Sequence, residues 1–179
     1  EDSCVIQDDI VEMLAVEGGP RLTWNPGGCQ IDEGLTPSNN RELLRHTDLL
    51  LLNKEEALAF TKTQSIKEAI AALLAAGVAN VAITDGKRGV SASDGNKIYT
   101  CPVVLGTEIL DTTGAGDAFG TGVTWGLLEG LNLPDALKTG SINAASVVGS
   151  IGSQTALLTD TEIRKRLKEL DLNVTSDSL

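Results

Sequence analysis

The stretch Asp111–Gly130, DTTGAGDAFGTGVTWGLLEG, decides the fold of this chain. Its glycine-rich turn leads directly into a long run of small and apolar residues, which predicts a helix from Ala115 to about Gly130. The first N–H groups of a helix lack intrahelical partners and lie at the positive end of the helix dipole. We therefore expect the N–H groups of Gly114, Ala115 and Gly116 to point the same way and to bind an anion, above all phosphate.

Asp117 follows these amides, and a carboxylate beside a phosphate is repulsive unless it has a task. The task that we infer is to accept the proton of a hydroxyl group that attacks the phosphate. The alternative is a glycine-rich turn whose aspartate merely caps the helix. Spacing excludes two familiar phosphate loops, because GxGxxG would need a glycine at Phe119 and GxxxxGK[ST] would need a lysine that this turn lacks.

The string DTTGAGDAF at residues 111–119 closely resembles the C-terminal signature of the ribokinase-like (PfkB) family of carbohydrate and nucleoside kinases. The resemblance implies an α/β fold, a mostly parallel sheet with helices on both faces, and ATP-dependent phosphoryl transfer to a hydroxyl group of a sugar or nucleoside. It covers only the C-terminal half of the family's pattern, and the chain begins with Glu1. We therefore expect residues 1–179 to be a single α/β domain from a longer or truncated sequence.

The composition agrees with a globular α/β protein of 179 residues, 41% of them hydrophobic. The net charge of −11 argues against nucleic acid or an anionic membrane surface as the main partner. No apolar run approaches the length of a transmembrane helix. Cys4, Cys29 and Cys101 contain no CxxC spacing, and with the single His46 they give no zinc pattern. This pattern predicts free thiols in a reducing cytoplasm.

The rest of the chain alternates apolar strands with helices, which is typical of a mostly parallel sheet covered on both faces. We predict strands over residues 21–25, 49–53 and 81–84, a hairpin over 90–102 with Asp94-Gly95 in its turn, and further helices over 6–16, 36–46, 65–76, 133–148 and 159–170. We expect the last residues to be loose. In such sheets ligands bind at the carboxyl ends of the strands.

Asn53 and Glu56 follow the second strand in an N-x-x-E pattern. This pattern resembles the family's motif near magnesium and the phosphates. The resemblance implies that Glu56 orients metal-bound water while the Asn53 amide reaches a phosphate or its water. The chemistry is sensible, because Mg²⁺ keeps several waters and is often held through few protein oxygens. The same residues also fit a helix N-cap with first-turn acids, and this alternative stays open.

The loop after the strand at 81–84 keeps Thr84, Gly86 and Gly89 of the family's Thr-x-Gly-x-x-Gly pattern. The resemblance implies that this loop lies along the ribose and phosphates of ATP. An ordinary glycine turn after a strand is the alternative. Asp85 stands where the family more often has an apolar residue, so the polarity of this loop is not settled by the pattern.

Two further assignments come from the resemblance. Asn143 matches a family Asn that approaches the adenine, with a solvated helix Asn as the alternative. The segment Gly149–Gln154 resembles the loop that, with the start of the signature, surrounds a monovalent cation such as K⁺. The residues implied for that cation are Asp111 and Thr113 from the signature and Gly149 and Gly152 from the second loop.

We consider three classes of function for a protein with these residues. The kinase uses ATP and Mg²⁺, acts on a small-molecule sugar or nucleoside, and forms a homodimer through the lid of the longer protein, as the resemblance implies. A nucleotide-binding module inactive on its own is the second class, because the family's sugar-binding residues and lid belong to the N-terminal half. An NAD-dependent dehydrogenase is disfavoured by the failed GxGxxG spacing.

Overall fold

The computed structural model describes residues 8–36, 38–152 and 155–179 of the chain. It divides the chain into two compact units, and each is described by itself. The first unit contains Glu1–Ile83, Ala92–Ile98 and Ser178–Leu179, and the second contains Thr84–Ser91 and Tyr99–Asp177. A single domain over residues 1–179 stays a prediction.

Helices and strands alternate over most of the described chain. The strands are β1 (Leu22–Trp24), β2 (Thr47–Asn53), β3 (Val81–Thr84), β4 (Val90–Ser93), β5 (Lys97–Cys101) and β6 (Thr175–Ser178). The helices are α1 (Asp8–Leu14), α2 (Gly28–Glu33), α3 (Ser38–Arg45), α4 (Lys54–Thr61), α5 (Ile66–Ala75), α6 (Ala115–Leu128), α7 (Leu133–Val148) and α8 (Asp160–Glu169). Strand pairing follows the order β1-β2-β3-β4-β5-β6. β1 and β2 are parallel, whereas the short turn between β4 and β5 makes them an antiparallel hairpin, so the sheet is mixed.

The core of the first unit forms around β2. Consecutive residues of a strand point to opposite faces, and Leu49 and Leu50 are both fully buried, so both faces of β2 are covered. Phe60 of α4 is buried against this core and meets Trp24 edge to face, with ring centroids 6.2 Å apart. Burial of each such side chain stabilises the fold by roughly 1.5–3 kcal/mol. The apolar run of leucines therefore behaves as the sequence predicts.

In the second unit α6 and α7 pack through glycines. A Cβ on Gly122 would lie 2.8 Å from the Gly140 Cα, and a Cβ on Gly126 would lie 2.9 Å from the Ala136 Cα. These distances leave no room for a side chain between the two helices. Gly122 and Gly126 therefore allow the backbones of α6 and α7 to approach closely.

Most predicted elements are found, with a few corrections. No helix was predicted between residues 25 and 36, but Gly28–Glu33 form α2, and Gly27 has the extended conformation that suits a helix N-cap. The last residues were expected to be loose, but Thr175–Ser178 form β6. Its sequence TSDS lacks the alternation of apolar and polar residues that would predict a strand. Ile6 and Pro37 of two predicted helices, and Ser153-Gln154 of the predicted cation loop, lie outside the described residues.

The cysteine prediction is only partly right. Cys101 is a free thiol, fully buried, but Cys29 is disulfide-bonded, so the prediction of free thiols is wrong at Cys29. Cys4 lies outside the described residues. Of the helices that the structure describes, none is both long enough and apolar enough to cross a membrane.

Candidate functional site

The glycine turn before α6 has the shape that the sequence predicts, with one correction. Gly114 is the N-cap of α6, and its φ of 79° and ψ of 0° are the values that the third residue of a type II turn requires. The Ala115 N–H closes this turn by donating to the Thr112 carbonyl at 3.2 Å. The expectation of three unpaired amides is therefore wrong at Ala115. Within the described chain, the N–H groups of Gly114 and Gly116 have no hydrogen-bond acceptor.

Asp117 lies in the first turn of α6 and is exposed. Its backbone carbonyl accepts a hydrogen bond from the Thr121 hydroxyl at 2.8 Å. Among the residues that the structure describes, none donates a hydrogen bond to its carboxylate, and the Gly114 N-cap has no side-chain cap bond. The alternative of a merely capping aspartate thus gains no hydrogen bond in its support, and the carboxylate is available to another group.

Asp111 joins the start of the signature to the end of α7. The N–H groups of Leu110 and Asp111 donate to the Val148 carbonyl at 2.8 and 3.3 Å. The Asp111 carboxylate accepts the Thr113 N–H at 2.9 Å. Hydrogen bonds from the backbone and then the side chain of Thr113, with a further one from the Gly152 backbone, hold the pKa of Asp111 below its ordinary value of 3.8. The structure therefore brings Asp111 and Thr113 beside Gly152.

Gly149 directly follows Val148, the last residue of α7, whose carbonyl accepts the N–H groups of Leu110 and Asp111. It is the C-cap of that helix, and a Cβ there would meet the Thr107 side chain at 3.5 Å. The two loops that the resemblance assigns to a monovalent cation are thus adjacent. Among the described residues, no cluster of three or more His, Cys, Asp or Glu side chains has the arrangement of a metal site.

A cavity of about 520 Å³ opens beside Gly149. The end of α7, the segments 104–107 and 155–158, and one face of α8 form its walls. Apolar groups such as Val104 and Ala145 alternate in the lining with hydroxyl groups such as Thr107 and Ser146, and Glu162 and Arg166 lie at the α8 side. A cavity of this size is in the range of small-molecule sites.

Sequence reasoning did not identify this cavity. A signal was available in α7, because Ile142, Ala145, Ser146 and Gly149 recur at helical spacing and share a face. That face is neither strongly apolar nor charged. Only the folded chain shows that it lines a cavity.

Asn143 is buried and bonded within the protein. Its side chain is only 2% exposed. Its Nδ2 donates to the Ala118 carbonyl at 2.8 Å, and its Oδ1 accepts the Leu158 N–H at 3.0 Å. The alternative of a solvated helix Asn is therefore wrong. Contact with adenine stays a prediction, but the carboxamide already has a protein partner for each of its two polar atoms.

The loop after β3 closes on itself. Arg88 forms two hydrogen bonds of 2.6 Å with the Asp85 carboxylate, and the Asp85 N–H donates to the Gly89 carbonyl at 2.8 Å. The polarity that Asp85 adds to this loop is therefore neutralised by Arg88. Thr84 is half-buried at the end of β3, and Gly86 has φ +51° with open space around it. The predicted contact of this loop with ATP stays a prediction.

Asn53 and Glu56 belong to the first unit and form a capping box at the start of α4. The Asn53 Oδ1 accepts the Glu56 N–H, and Glu56 Oε2 accepts the Asn53 N–H, each at 2.8 Å. The alternative of a helix N-cap is thus what the structure shows for these two side chains. A role toward magnesium stays a prediction, and it must be compatible with this box.

The fold is that of an α/β protein, and a glycine turn opens its helix α6. The chain belongs to the pfkB family of carbohydrate kinases, whose family model matches residues 30–160. The fold class and the resemblance to this family, both predicted from the sequence, are confirmed.

Curated relatives agree with this assignment. The chain is 34% identical over 127 residues to a ribokinase of Bacillus subtilis, covering 71% of this chain and 42% of the relative. It is 26% identical over 158 residues to a ribokinase of Lactococcus lactis, covering 88% of this chain and 49% of the relative. The chain thus spans about half the length of the curated relatives it matches.

Solved structures show the same partial match. A ribokinase of Thermotoga maritima superposes with a TM-score of 0.75 at 27% identity, covering 89% of this chain and 52% of that one. A ribokinase of Arabidopsis thaliana, solved with ribose and ATP, superposes with a TM-score of 0.70 at 25% identity, covering 83% of this chain and 47% of that one.

Proposed function

We propose that the protein represented by this chain transfers the terminal phosphoryl group of ATP to a hydroxyl group of a sugar or nucleoside. The observation that carries the proposal is the turn before α6, inside the region matched by the pfkB family model. There two amides and one carboxylate, within four residues of each other, have no hydrogen-bond partner among the residues that the structure describes. The Arabidopsis ribokinase, solved with ribose and ATP, supports ATP as the donor.

In this proposal the glycine turn stabilises the transferring group. The Gly114 and Gly116 amides donate to the negative charge that develops on the phosphoryl oxygens, a large term in such chemistry. The Ala115 N–H, already donating to Thr112, acts chiefly by holding the turn in shape. Asp117 accepts the proton of the attacking hydroxyl group, which its lack of a hydrogen-bond donor among the described residues permits.

The chain offers oxygen atoms that could contact the Mg²⁺ and K⁺ ions of this proposal. Glu56 uses Oε2 in the capping box, which leaves its other carboxylate oxygen to orient a water of hydrated Mg²⁺. Bound Mg²⁺ would neutralise the charge of the ATP phosphates. For K⁺ we propose the loops of Asp111, Thr113, Gly149 and Gly152, whose backbone carbonyl oxygens suit a weakly hydrated cation.

The proposal extends to where the nucleotide binds, where in the cell the protein acts and how it assembles. The cavity beside Gly149 has room for a nucleobase, and the Thr84–Gly89 loop would lie along the ribose and phosphates. We propose a homodimer of the longer protein and a cytoplasmic location, where ATP is supplied. The disulfide at Cys29 removes the support that three free thiols would have given to that location.

A nucleotide-binding module without transfer activity is the second candidate, because the chain spans about half the length of its relatives. Calorimetric titration with ATP and with NAD, followed by an ADP-release assay with ribose, fructose phosphates, ketodeoxygluconate and nucleosides, separates the candidates. Activity, in this chain or only in a longer form of the protein, supports the kinase. ATP binding with no transfer in either form supports the module. Absence of ATP binding in both forms refutes both, and binding of NAD alone favours a dehydrogenase.

A further inference from the structure

The side chain of Asn143 connects two parts of the second unit that carry different pieces of the candidate site. Its Nδ2 donates to the carbonyl of Ala118, the residue after Asp117 in the first turn of α6. Its Oδ1 accepts the N–H of Leu158, a residue of the cavity wall. One buried carboxamide therefore links the turn that bears Asp117 to the wall of the cavity.

The Leu158 contact matters because its segment leads into α8. Residues 155–158 form no helix or strand, and Thr159 directly afterwards is the N-cap of α8. Glu162 and Arg166 on that helix also line the cavity. The bond from Leu158 to Asn143 thus fixes the point at which the cavity wall passes into α8.

The bond to Ala118 is not needed merely to hold α6 against α7. Thr139, one helical turn before Asn143, donates its hydroxyl to the Gly122 carbonyl at 2.7 Å and is also fully buried. Thr139 therefore makes the same kind of contact between the two helices without reaching the cavity wall. The two residues form a matched pair within one helix face.

We propose that Asn143 is a positioning residue, which sets the distance and orientation between the cavity wall at Leu158 and the first turn of α6. The kinetic part of this inference rests on the proposed function, in which the cavity holds the nucleobase and Asp117 meets the attacking hydroxyl group. Asn143 then acts through the backbone of its two hydrogen-bond partners, Ala118 and Leu158. Small errors of placement of this kind reduce rates strongly in enzymes that work by orientation.

The test compares Asn143→Leu, which removes both hydrogen bonds at similar volume, with Thr139→Val. The valine removes the hydroxyl contacts with the Gly122 carbonyl of α6 and the Ala136 carbonyl of α7 but no contact with the cavity wall. Amide hydrogen exchange is measured on residues 155–162, together with the unfolding midpoint and the Kd for ATP. In the form of the protein that transfers phosphoryl groups, KM and kcat are measured as well. We expect Asn143→Leu to speed exchange in 155–162 and to weaken ATP binding, each by about tenfold. Thr139→Val should leave both the exchange rates in 155–162 and the Kd for ATP within about twofold of the wild-type values.

A second variant covers the case in which Asn143→Leu does not fold. Leu158→Pro removes the N–H that Asn143 accepts but leaves the contact with Ala118 in place. It should reproduce the faster exchange of the segment after residue 158 and the weaker binding of ATP. If it changes neither, the inference is wrong.

Equal effects of Asn143→Leu and Thr139→Val on exchange and binding would overturn the inference, because Asn143 would then serve only helix pairing. If the wild-type protein does not bind ATP, the proposed function fails. The exchange data still decide whether Asn143 anchors the cavity wall. The two failures are thus distinguished.

Discussion

Replacement of Gly89 by alanine should destabilise the loop after β3 far more than the same change at Gly86. Gly89 has φ 84° and ψ −140°, a region that residues with a Cβ rarely adopt. Its Cβ would also lie 2.2 Å from the Cys101 carbonyl oxygen. Gly86 has φ 51°, but nothing lies within 4 Å of the position of its Cβ. Gly89→Ala therefore meets strain and a backbone clash, whereas Gly86→Ala meets strain alone.

The two costs can be set against each other. The backbone conformation of Gly89 costs a residue with a Cβ roughly 1–3 kcal/mol, and overpacking against Cys101 costs roughly another 1–3 kcal/mol. Alanine also restricts the unfolded chain, which offsets roughly 0.4–1 kcal/mol. The expected net loss for Gly89→Ala is roughly 1–5.5 kcal/mol, with a central value of about 3 kcal/mol. For Gly86→Ala, left-handed strain of roughly 1–2 kcal/mol less the same offset leaves about 1 kcal/mol.

Urea unfolding followed by circular dichroism measures both changes against the wild type. Losses that agree within about 1 kcal/mol would refute the reasoning, because the clash with Cys101 would then contribute nothing measurable. ATP affinity adds a second comparison. If the loop lies along the nucleotide, Gly86→Ala weakens ATP binding although it lowers the unfolding free energy by only about 1 kcal/mol.

Three further changes test the site and its surroundings. Asp117→Asn should leave the Kd for ATP nearly unchanged and reduce turnover by about 10²-fold or more, and unchanged turnover would remove Asp117 from the mechanism. Ala145→Phe should fill part of the cavity and raise the Kd for ATP by about tenfold, while Ala71→Phe on the exposed side of α5 serves as the matched control and should not. Glu162→Gln keeps a capping residue on α8 but removes a carboxylate whose pKa is held below 4.5 by hydrogen bonds from the Thr159 side chain and backbone. A carboxylate whose pKa is lowered in the folded state stabilises the fold at pH values above its ordinary pKa, and this contribution is lost as the pH falls through the folded-state pKa. The stability advantage of wild type over Glu162→Gln should therefore shrink below pH 4.5. An advantage that stays constant from neutral to acid pH would contradict this.

Local chemistry made much of the chain predictable from sequence. The turn before α6 is specified by residues next to one another, because the left-handed conformation at Gly114 needs a glycine and the apolar run after it needs a helix. β3 covers the predicted residues 81–84, and the hairpin turn at Asp94-Gly95 is found where its dipeptide indicates. The family signature is equally local, which explains why the family assignment was correct.

Where a sequence pattern fits two roles, the sequence alone does not decide between them. Asn53 and Glu56 fit a capping box and a magnesium motif equally well, and the structure shows the box without excluding the other role. Asp85 appeared to disturb the polarity of its loop until the structure paired it with Arg88. Neither choice follows from residue type, because each depends on which rotamer and partner the folded backbone offers.

The sequence by itself determined the α/β class, the family, and the position of the turn that carries Asp117. Tertiary structure alone decided the burial of Asn143 and the need for glycine at position 89. Asn143 bonds to residues 25 and 15 positions away, and the atom that excludes a Cβ at Gly89 belongs to Cys101 at the end of β5. Contacts between distant segments leave no periodic or compositional mark, because their partners are set by how the helices and strands pack.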